Sequence, residues 1–200
     1  MSNLPAFAVT YDYRCPWARN MHEQLITGLR GGADWDVTFL PFSLNQAHVE
    51  EGGTPVWDDP AAGPNLLAGL ISLVVRDEYP DKFLDAHEAL FAARHDQQLD
   101  TRDPAVLAAA LAGVGLDDDK ILAAAPDRNE QFREIHMNAV REHNVFGVPT
   151  FIVGDAATFV RLRNRPGDDA AGAIERVERV VNLMTGWDEL NEFKWTKIPK

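Results

Sequence analysis

The chain has very little cysteine: Cys15 is the single one among 200 residues. One cysteine excludes an internal disulfide. An unpaired thiol is typical of proteins from a reducing compartment, so the sequence predicts a cytoplasmic location.

Basic residues are also scarce. The chain has 31 acidic residues against 19 lysines and arginines, a formal net charge of −12. Because such a surface repels a phosphate backbone, nucleic-acid binding is disfavoured. No apolar run reaches the roughly 20 residues that cross a bilayer, so no membrane partner is expected. The first residues lack a basic segment followed by a continuous apolar one, and no signal peptide is expected there.

What the sequence does contain is enough apolar material for one substantial core. Hydrophobic residues make up 46% of the chain, and a chain of this length need not divide into independent domains. The sequence therefore predicts one domain over residues 1–200.

The order of the predicted elements indicates an α/β protein. Two strands flank a helix near the start, helical patterns fill the middle, and a hairpin and a last helix follow. The predicted strands cover 5–13, 35–42, 149–153 and 157–162, and the predicted helical segments cover 15–29, 65–144 and 173–184. The order is thus β-α-β, a block of helices, then β-β-α. It predicts a core of about 5–62 and 145–186, a helical insertion over about 63–144, and a tail over 187–200.

The position of Cys15 in the sequence is typical of a reactive thiol. Pro16 suits the first position of a helix, which places Cys15 directly before it. Free backbone N–H groups and the helix dipole then favour the thiolate, and Arg14 and Arg19 would add to this effect. A thiolate attacks disulfides and other electrophiles. The alternative is that Cys15 is a buried, inert core residue.

Two segments, YRCPWA (13–18) and FGVPTF (146–151), carry a resemblance to a known family. With the element order, they resemble the thioredoxin fold with a helical insertion, and more narrowly the DsbA-like family. That family includes DsbA-type oxidoreductases, 2-hydroxychromene-2-carboxylate isomerases and kappa-class glutathione transferases. The resemblance implies that Pro149 is cis and lies against Cys15. Val148, Pro149 and Thr150 would then bind an extended ligand beside the sulfur, unless Pro149 merely begins a strand.

The chain departs from the dithiol members of that family at Ala18, where they carry a second cysteine. The predicted active-site motif is therefore Cys15 with Arg14, Pro16, Trp17 and Ala18. Without a second sulfur, a mixed disulfide with a substrate cannot be resolved within the chain. A small thiol from solution would have to release it.

Three functions stay open. The favoured hypothesis is a thiol–disulfide oxidoreductase with one active cysteine, which forms mixed disulfides with a low-molecular-weight thiol resembling glutathione or mycothiol. No tightly bound cofactor is expected. The second is a thiol-dependent isomerase or transferase of the 2-hydroxychromene-2-carboxylate isomerase type. The third is a redox-silent module that binds a peptide or another ligand beside Pro149.

Histidines are weaker candidates. His22 lies two helical turns from Cys15, about 10 Å by helical rise, which is too far for a base. His136 and His143 share a helical face without further ligands in a metal-binding spacing, so no metal site is expected. His87 and His95 would lie in the inserted helices, where they could line a pocket above the thiol. His95 is also expected to cap or pair locally with its neighbour Asp96.

Aromatic and basic residues leave further alternatives. Trp17 is either an exposed wall over the thiol or part of the core. Arg161, Arg163 and Arg165 would project to one face of an extended segment. A solvated edge strand is the favoured interpretation, and a site for carboxylates of a small thiol or a partner is the other. The aromatic tail, Trp187 to Trp195, would pack on its own domain or across a homodimer interface.

Overall fold

The computed structural model describes residues 4–187, 189, 190 and 192. Within that part of the chain no helix combines the length and apolar character needed to cross a membrane. Trp187 is 54% exposed, whereas Phe193 and Trp195 of the predicted aromatic tail lie outside the described residues. The homodimer that this tail favours stays a prediction.

Four strands of the described residues form one mixed sheet. They are β1 (Phe7–Tyr11), β2 (Val37–Pro41), β3 (Thr150–Val153) and β4 (Ala156–Phe159). The strand order is β2-β1-β3-β4. β1 runs parallel to β2 and antiparallel to β3, and β4 returns antiparallel to β3. The α/β class, the thioredoxin-like fold and the order of the elements predicted from the sequence are confirmed.

Eight α-helices accompany the sheet in the described residues. They are α1 (Pro16–Arg30), α2 (Leu44–Ala47), α3 (Gly63–Glu78), α4 (Phe83–His95), α5 (Pro104–Gly113), α6 (Asp118–Ala124), α7 (Asn129–His143) and α8 (Ala170–Gly186). Helices α2 to α7 lie between β2 and β3 in the chain, so the helical block is inserted into the sheet's connectivity. The side chain of Asp103 accepts the N–H of Ala105 and caps α5, as its position before Pro104 predicts.

Helix α2 is absent from the sequence prediction, which has a loop there. Its local signal is a Ser-x-x-Gln pattern: the hydroxyl of Ser43 accepts the backbone N–H of Gln46. The helix has only four residues, too few to show an apolar period.

Helix α1 buries an apolar stripe against the core, and this packing positions the first turn of the helix. Met21 and Leu25 are fully buried, and Trp17 and Leu29 are partly buried against the core. The helix packs along α8 and contacts α4 and β1. A Cβ on Gly28 would overlap the indole ring of Trp35, so the missing side chain lets that ring approach the helix closely. The start of α1 is thus fixed against both the sheet and the inserted helices.

The prediction of an edge strand that contains Arg161, Arg163 and Arg165 is wrong. β4 ends at Phe159, and residues 160–169 contain no strand. The carbonyl groups of this segment are bound by α1 instead of by the sheet. Asn20 donates through its amide to the carbonyls of Leu162 and Arg163, at 3.0 and 2.9 Å, and Gln24 donates to that of Asn164 at 3.1 Å.

Candidate active site

Cys15 occupies the N-cap position of α1 and Pro16 the first helical position. The backbone of Cys15 is extended, with φ −91° and ψ 116°, and its N–H donates to the carbonyl of Asp12 at 2.9 Å. The residue is 8% exposed. Its thiol donates to the carbonyl oxygen of Val148, with sulfur and oxygen 3.5 Å apart. The sulfur therefore lies beside the second predicted motif, as the resemblance implies.

The expected ionisation of Cys15 differs from what the structure shows. Burial raises the pKa of Cys15, and the backbone N–H groups of Ala18 and Trp17 lower it by a smaller amount. Both N–H groups belong to the first turn of α1, so the predicted effect of the helix start is present. Burial outweighs this effect, because removing a thiolate from water destabilises it more than these two N–H groups stabilise it. Burial therefore opposes the net stabilisation of the thiolate that the sequence predicts.

The FGVPTF segment forms the turn that enters β3. The Val148–Pro149 peptide bond is cis, and Val148 and Thr150 are 2% and 3% exposed. Thr150 donates through its N–H to Thr10 Oγ1 at 2.9 Å and through its hydroxyl to the carbonyl of Gly147 at 2.8 Å. The first of these bonds fixes the turn to β1, and the second lies within the turn. The predicted contact of 148–150 with a ligand stays a prediction.

The two remaining motif positions differ in exposure. Ala18 is fully buried and offers no second sulfur. Trp17 is half-buried, packs its inner side against the core and carries the guanidinium of Arg161 over its ring. The interpretation of Trp17 as a core residue therefore holds in part, and its role as a wall over the thiol stays a prediction.

The two arginines expected to favour the thiolate are engaged elsewhere. Arg14 donates to Asn65 Oδ1 at 3.1 Å and to the side-chain oxygen of Asn45. Arg19 pairs with Asp96 at 2.9 Å.

The charges that act on the sulfur belong to Arg161 and Asp12. The sequence predicts Arg161 as part of a solvated edge strand or of a carboxylate site, and it does not single out Asp12. Arg161 lowers the pKa of Cys15, and Asp12 raises it. Asp12 sits in the segment between β1 and α1, where its carboxylate accepts the N–H groups of Arg14 and Leu44, at 2.9 and 3.0 Å. The signal for Asp12 was its position just before the motif. The signal for Arg161 was its alternation with Arg163 and Arg165, which does not place it near Cys15.

Below the site, a buried hydrogen-bonded chain links β1 to the inserted helices. Tyr13 Oη lies 2.6 Å from His87 Nδ1, His87 Nε2 lies 2.9 Å from His22 Nδ1, and His22 Nε2 lies 3.1 Å from the carbonyl oxygen of Thr10. A carbonyl only accepts, so His22 must donate to it through Nε2–H. His87 then donates to His22, and the hydroxyl of Tyr13 donates to His87.

These directions of hydrogen bonding agree with the protonation states of the three side chains. Burial lowers the pKa of His22 to about 3 and that of His87 well below its usual value, so both rings are neutral at pH 7. Burial also raises the pKa of Tyr13, which keeps its phenol as a donor. His95 donates to the carbonyl of Tyr13 at 2.9 Å. These hydrogen bonds therefore hold the residues just before Cys15 in place.

His95 does not pair with Asp96, whereas the alternative prediction of a local cap agrees with the structure, in which Asp96 is the C-cap residue of α4. The His95 ring donates to the carbonyl of Tyr13. Its neighbour Asp96 pairs with Arg19 and Arg165, both at 2.9 Å. Both partners are distant in sequence, so local spacing could not reveal them.

A cavity of about 20 Å³ lies beside Tyr13, Arg14 and Asn65 and has room for about one water molecule. Among the described residues no group of three or more His, Cys, Asp or Glu side chains could hold a metal ion.

Comparisons with known proteins agree with this geometry. A family model described as the DSBA-like thioredoxin domain matches residues 8–164. No match was found among curated proteins.

Solved structures of related fold are similar over most of their length. DsbA of Pseudomonas aeruginosa is 20% identical, with a TM-score of 0.59 over 93% of this chain and 85% of that one. MdbA, a thiol-disulfide oxidoreductase from Actinomyces oris, is 19% identical, with a TM-score of 0.60 over 92% and 81%. The thiol-disulfide exchange protein alpha-DsbA2 from Wolbachia pipientis is 16% identical, with a TM-score of 0.56 over 91% and 83%. At these identities the structures establish the fold. The family model covers well over half of the chain, and the chain therefore belongs to the family of DSBA-like thioredoxin domains.

Proposed function

We propose that this protein is a thiol–disulfide oxidoreductase that uses Cys15 as its single nucleophile. The observation that carries the proposal is the position of the Cys15 sulfur, at the start of α1 and 3.5 Å from the carbonyl of Val148. Two backbone N–H groups of the first helical turn favour its thiolate, and such donors are what a developing negative charge on sulfur requires.

The reaction has two balanced steps. The Cys15 thiolate attacks a disulfide RSSR, forms the mixed disulfide Cys15–S–S–R and releases RS⁻. A second thiolate R′S⁻ from solution then attacks the R sulfur, forms RSSR′ and returns the Cys15 thiolate. The second step requires an external thiol, because Ala18 stands where a second sulfur would resolve the adduct and the chain has no other cysteine.

The co-substrate we propose is a low-molecular-weight thiol, and the cytoplasm remains its predicted compartment. The test is incubation with glutathione disulfide or with the disulfide of mycothiol, followed by intact-mass measurement. We expect one adduct per chain, which excess reduced thiol removes, and no adduct on Cys15→Ser. Absence of an adduct under conditions that modify a short cysteine peptide would overturn the proposal. It would favour the redox-silent binding module.

A second candidate is a thiol-dependent isomerase or transferase. The observation that favours it is the raised pKa of Cys15 together with its thiol acting as a donor to Val148. A neutral S–H is suited to contact a bound thiolate without attacking a substrate. In that case the Cys15→Ser variant keeps its activity with added small thiol, whereas the exchange reaction loses it.

A further inference from the structure

Arg161 is held over two aromatic rings at the edge of the site. Its guanidinium carbon lies 5.4 Å from the ring centroid of Trp17 and 5.3 Å from that of Phe159. Both distances are within the roughly 6 Å at which a cation is attracted to an aromatic face. Trp17 belongs to the first turn of α1 and Phe159 ends β4, so two separate elements fix this cation beside Cys15.

Within the described residues Arg161 has no carboxylate partner, although its side chain is exposed and acidic residues outnumber basic ones. Arg165, four residues on, pairs with both Glu23 and Asp96. Arg19, one turn of α1 from Cys15, pairs with Asp96. Arg161, unlike Arg19 and Arg165, therefore remains available to pair with an incoming anion.

The surroundings of Arg161 fit a small ligand with a carboxylate. Contacts with ring faces use the planar surface of a guanidinium, whereas its N–H groups lie in the plane and can bind a carboxylate in a bidentate manner. Phe159 also contacts Phe146, which is 70% exposed, with ring centroids 5.2 Å apart. This apolar surface would cover the methylene groups between the carboxylate and the sulfur of a ligand.

We propose that Arg161 makes this site selective for small thiols and disulfides that carry a carboxylate close to the sulfur. This inference rests on the proposed function and names the substrate class of the same site. An uncharged thiol would bind without this contact. Since the rest of the chain is strongly acidic, Arg161 would also offset the repulsion that an anionic ligand meets on approach.

The first test uses two alkylating reagents that differ in charge. Iodoacetate carries a carboxylate and iodoacetamide does not, and both modify Cys15, the only cysteine. The ratio of their rate constants at one pH cancels the fraction of thiolate, so a change in the pKa of Cys15 does not affect it. We expect Arg161→Gln to lower the iodoacetate-to-iodoacetamide ratio about fivefold to tenfold, and Arg161→Lys to lower it less. The difference should shrink at high salt.

Arg179→Gln is the matched control. It removes the same charge from an exposed residue of α8 that pairs with Glu175, and it should leave the ratio within twofold of the wild type. A ratio that Arg161→Gln leaves unchanged, or that Arg179→Gln lowers equally, would overturn the inference. The urea midpoint of each variant checks that the fold is intact.

A second pair of reagents separates this inference from the proposed function. Mixed-disulfide formation is compared between 3,3′-dithiodipropionate, which is anionic, and bis(2-hydroxyethyl) disulfide, which is neutral. A preference for the anionic disulfide that Arg161→Gln removes supports both ideas. Adducts that form equally with both disulfides overturn the selectivity and keep the exchange reaction. No adduct with either, together with an Arg161-dependent alkylation ratio, overturns the exchange reaction and keeps the anion site.

Discussion

The sulfur of Cys15 lies 3.5 Å from the carbonyl oxygen of Val148, which is 133 residues further along the chain. This contact joins the helix that begins after β1 to the turn that begins β3. Both strands are neighbours in the sheet, with Ala8 opposite Ile152 and Val9 opposite Phe151. The site is therefore built on adjacent strands, although 133 of the 200 residues separate its two parts in sequence.

The pKa of Cys15 should be higher in the folded protein than in the unfolded chain. Burial opposes the thiolate more strongly than the N–H groups of Trp17 and Ala18 favour it. The measurement is the rate of iodoacetamide alkylation against pH, in buffer and in concentrated urea. A midpoint in buffer below the midpoint in urea would contradict the prediction and would place a stabilised thiolate in the resting protein.

Ala18→Cys should restore an internal resolving thiol. Position 18 is in the first turn of α1, three residues after Cys15, and we expect a disulfide between the two on mild oxidation, seen as a loss of two hydrogens in the intact mass. The mixed disulfide with glutathione should then no longer accumulate. Because Ala18 is fully buried, the added sulfur should cost about 1–3 kcal/mol in stability. Ala18→Ser is the control: it should keep the long-lived adduct.

Arg165→Gln should destabilise the protein more than loss of an ordinary surface charge. The Glu23 side chain is 7% exposed and lies 2.5 Å from Arg165, so removing the arginine leaves a carboxylate poorly compensated. We expect a loss of about 1–3 kcal/mol in urea unfolding. Glu23→Gln should cost less, because no buried charge remains. Arg179→Gln should stay within about 0.5 kcal/mol; an equal loss there would show that net charge, not burial of Glu23, is responsible.

Acidification should destabilise the fold through its buried histidines. The pKa of His22 is lowered to about 3 and that of His136 to about 4, and that of His87 is lowered well below 6.5. In the unfolded chain these rings take up protons near pH 6.5, so between pH 6.5 and about 4 the unfolded state binds more protons. Stability is thus complete above pH 6.5 and falls as the pH drops, by up to ~1.4 kcal/mol per pH unit for each histidine.

Urea unfolding at pH 7, 6 and 5 measures this slope. His136→Gln should reduce it, because Gln can still accept the N–H of Ser43 that His136 Nδ1 accepts at 3.2 Å and adds no titrating group. A slope that His136→Gln does not alter would assign the acid sensitivity to groups other than His136.

The sequence predicted the parts of the site that have local signals. A proline after Cys15 marks a helix start, and breakers around two alternating segments mark the closing hairpin, so both motifs could be placed on their elements. Arg161 could not be placed, because its position depends on the α1 side chain of Asn20 holding the carbonyls of 162 and 163. The His22–His87 contact likewise joins residues 65 positions apart. The burial of the sulfur, which decides its pKa, depends on how the folded elements pack. No spacing of residues in the sequence indicates it.

The insertion of the helices between β2 and β3 also sets the order in which the site can form during synthesis. Cys15 and the start of α1 leave the ribosome first, whereas β3 and the 147–149 turn follow only after more than half of the chain. Because long-range strand pairing is slow and domains fold as units, the thiol remains open to oxidants and capping reagents until β3 joins β1. The reactivity of this one cysteine on stalled nascent chains of increasing length would therefore report when the sheet closes.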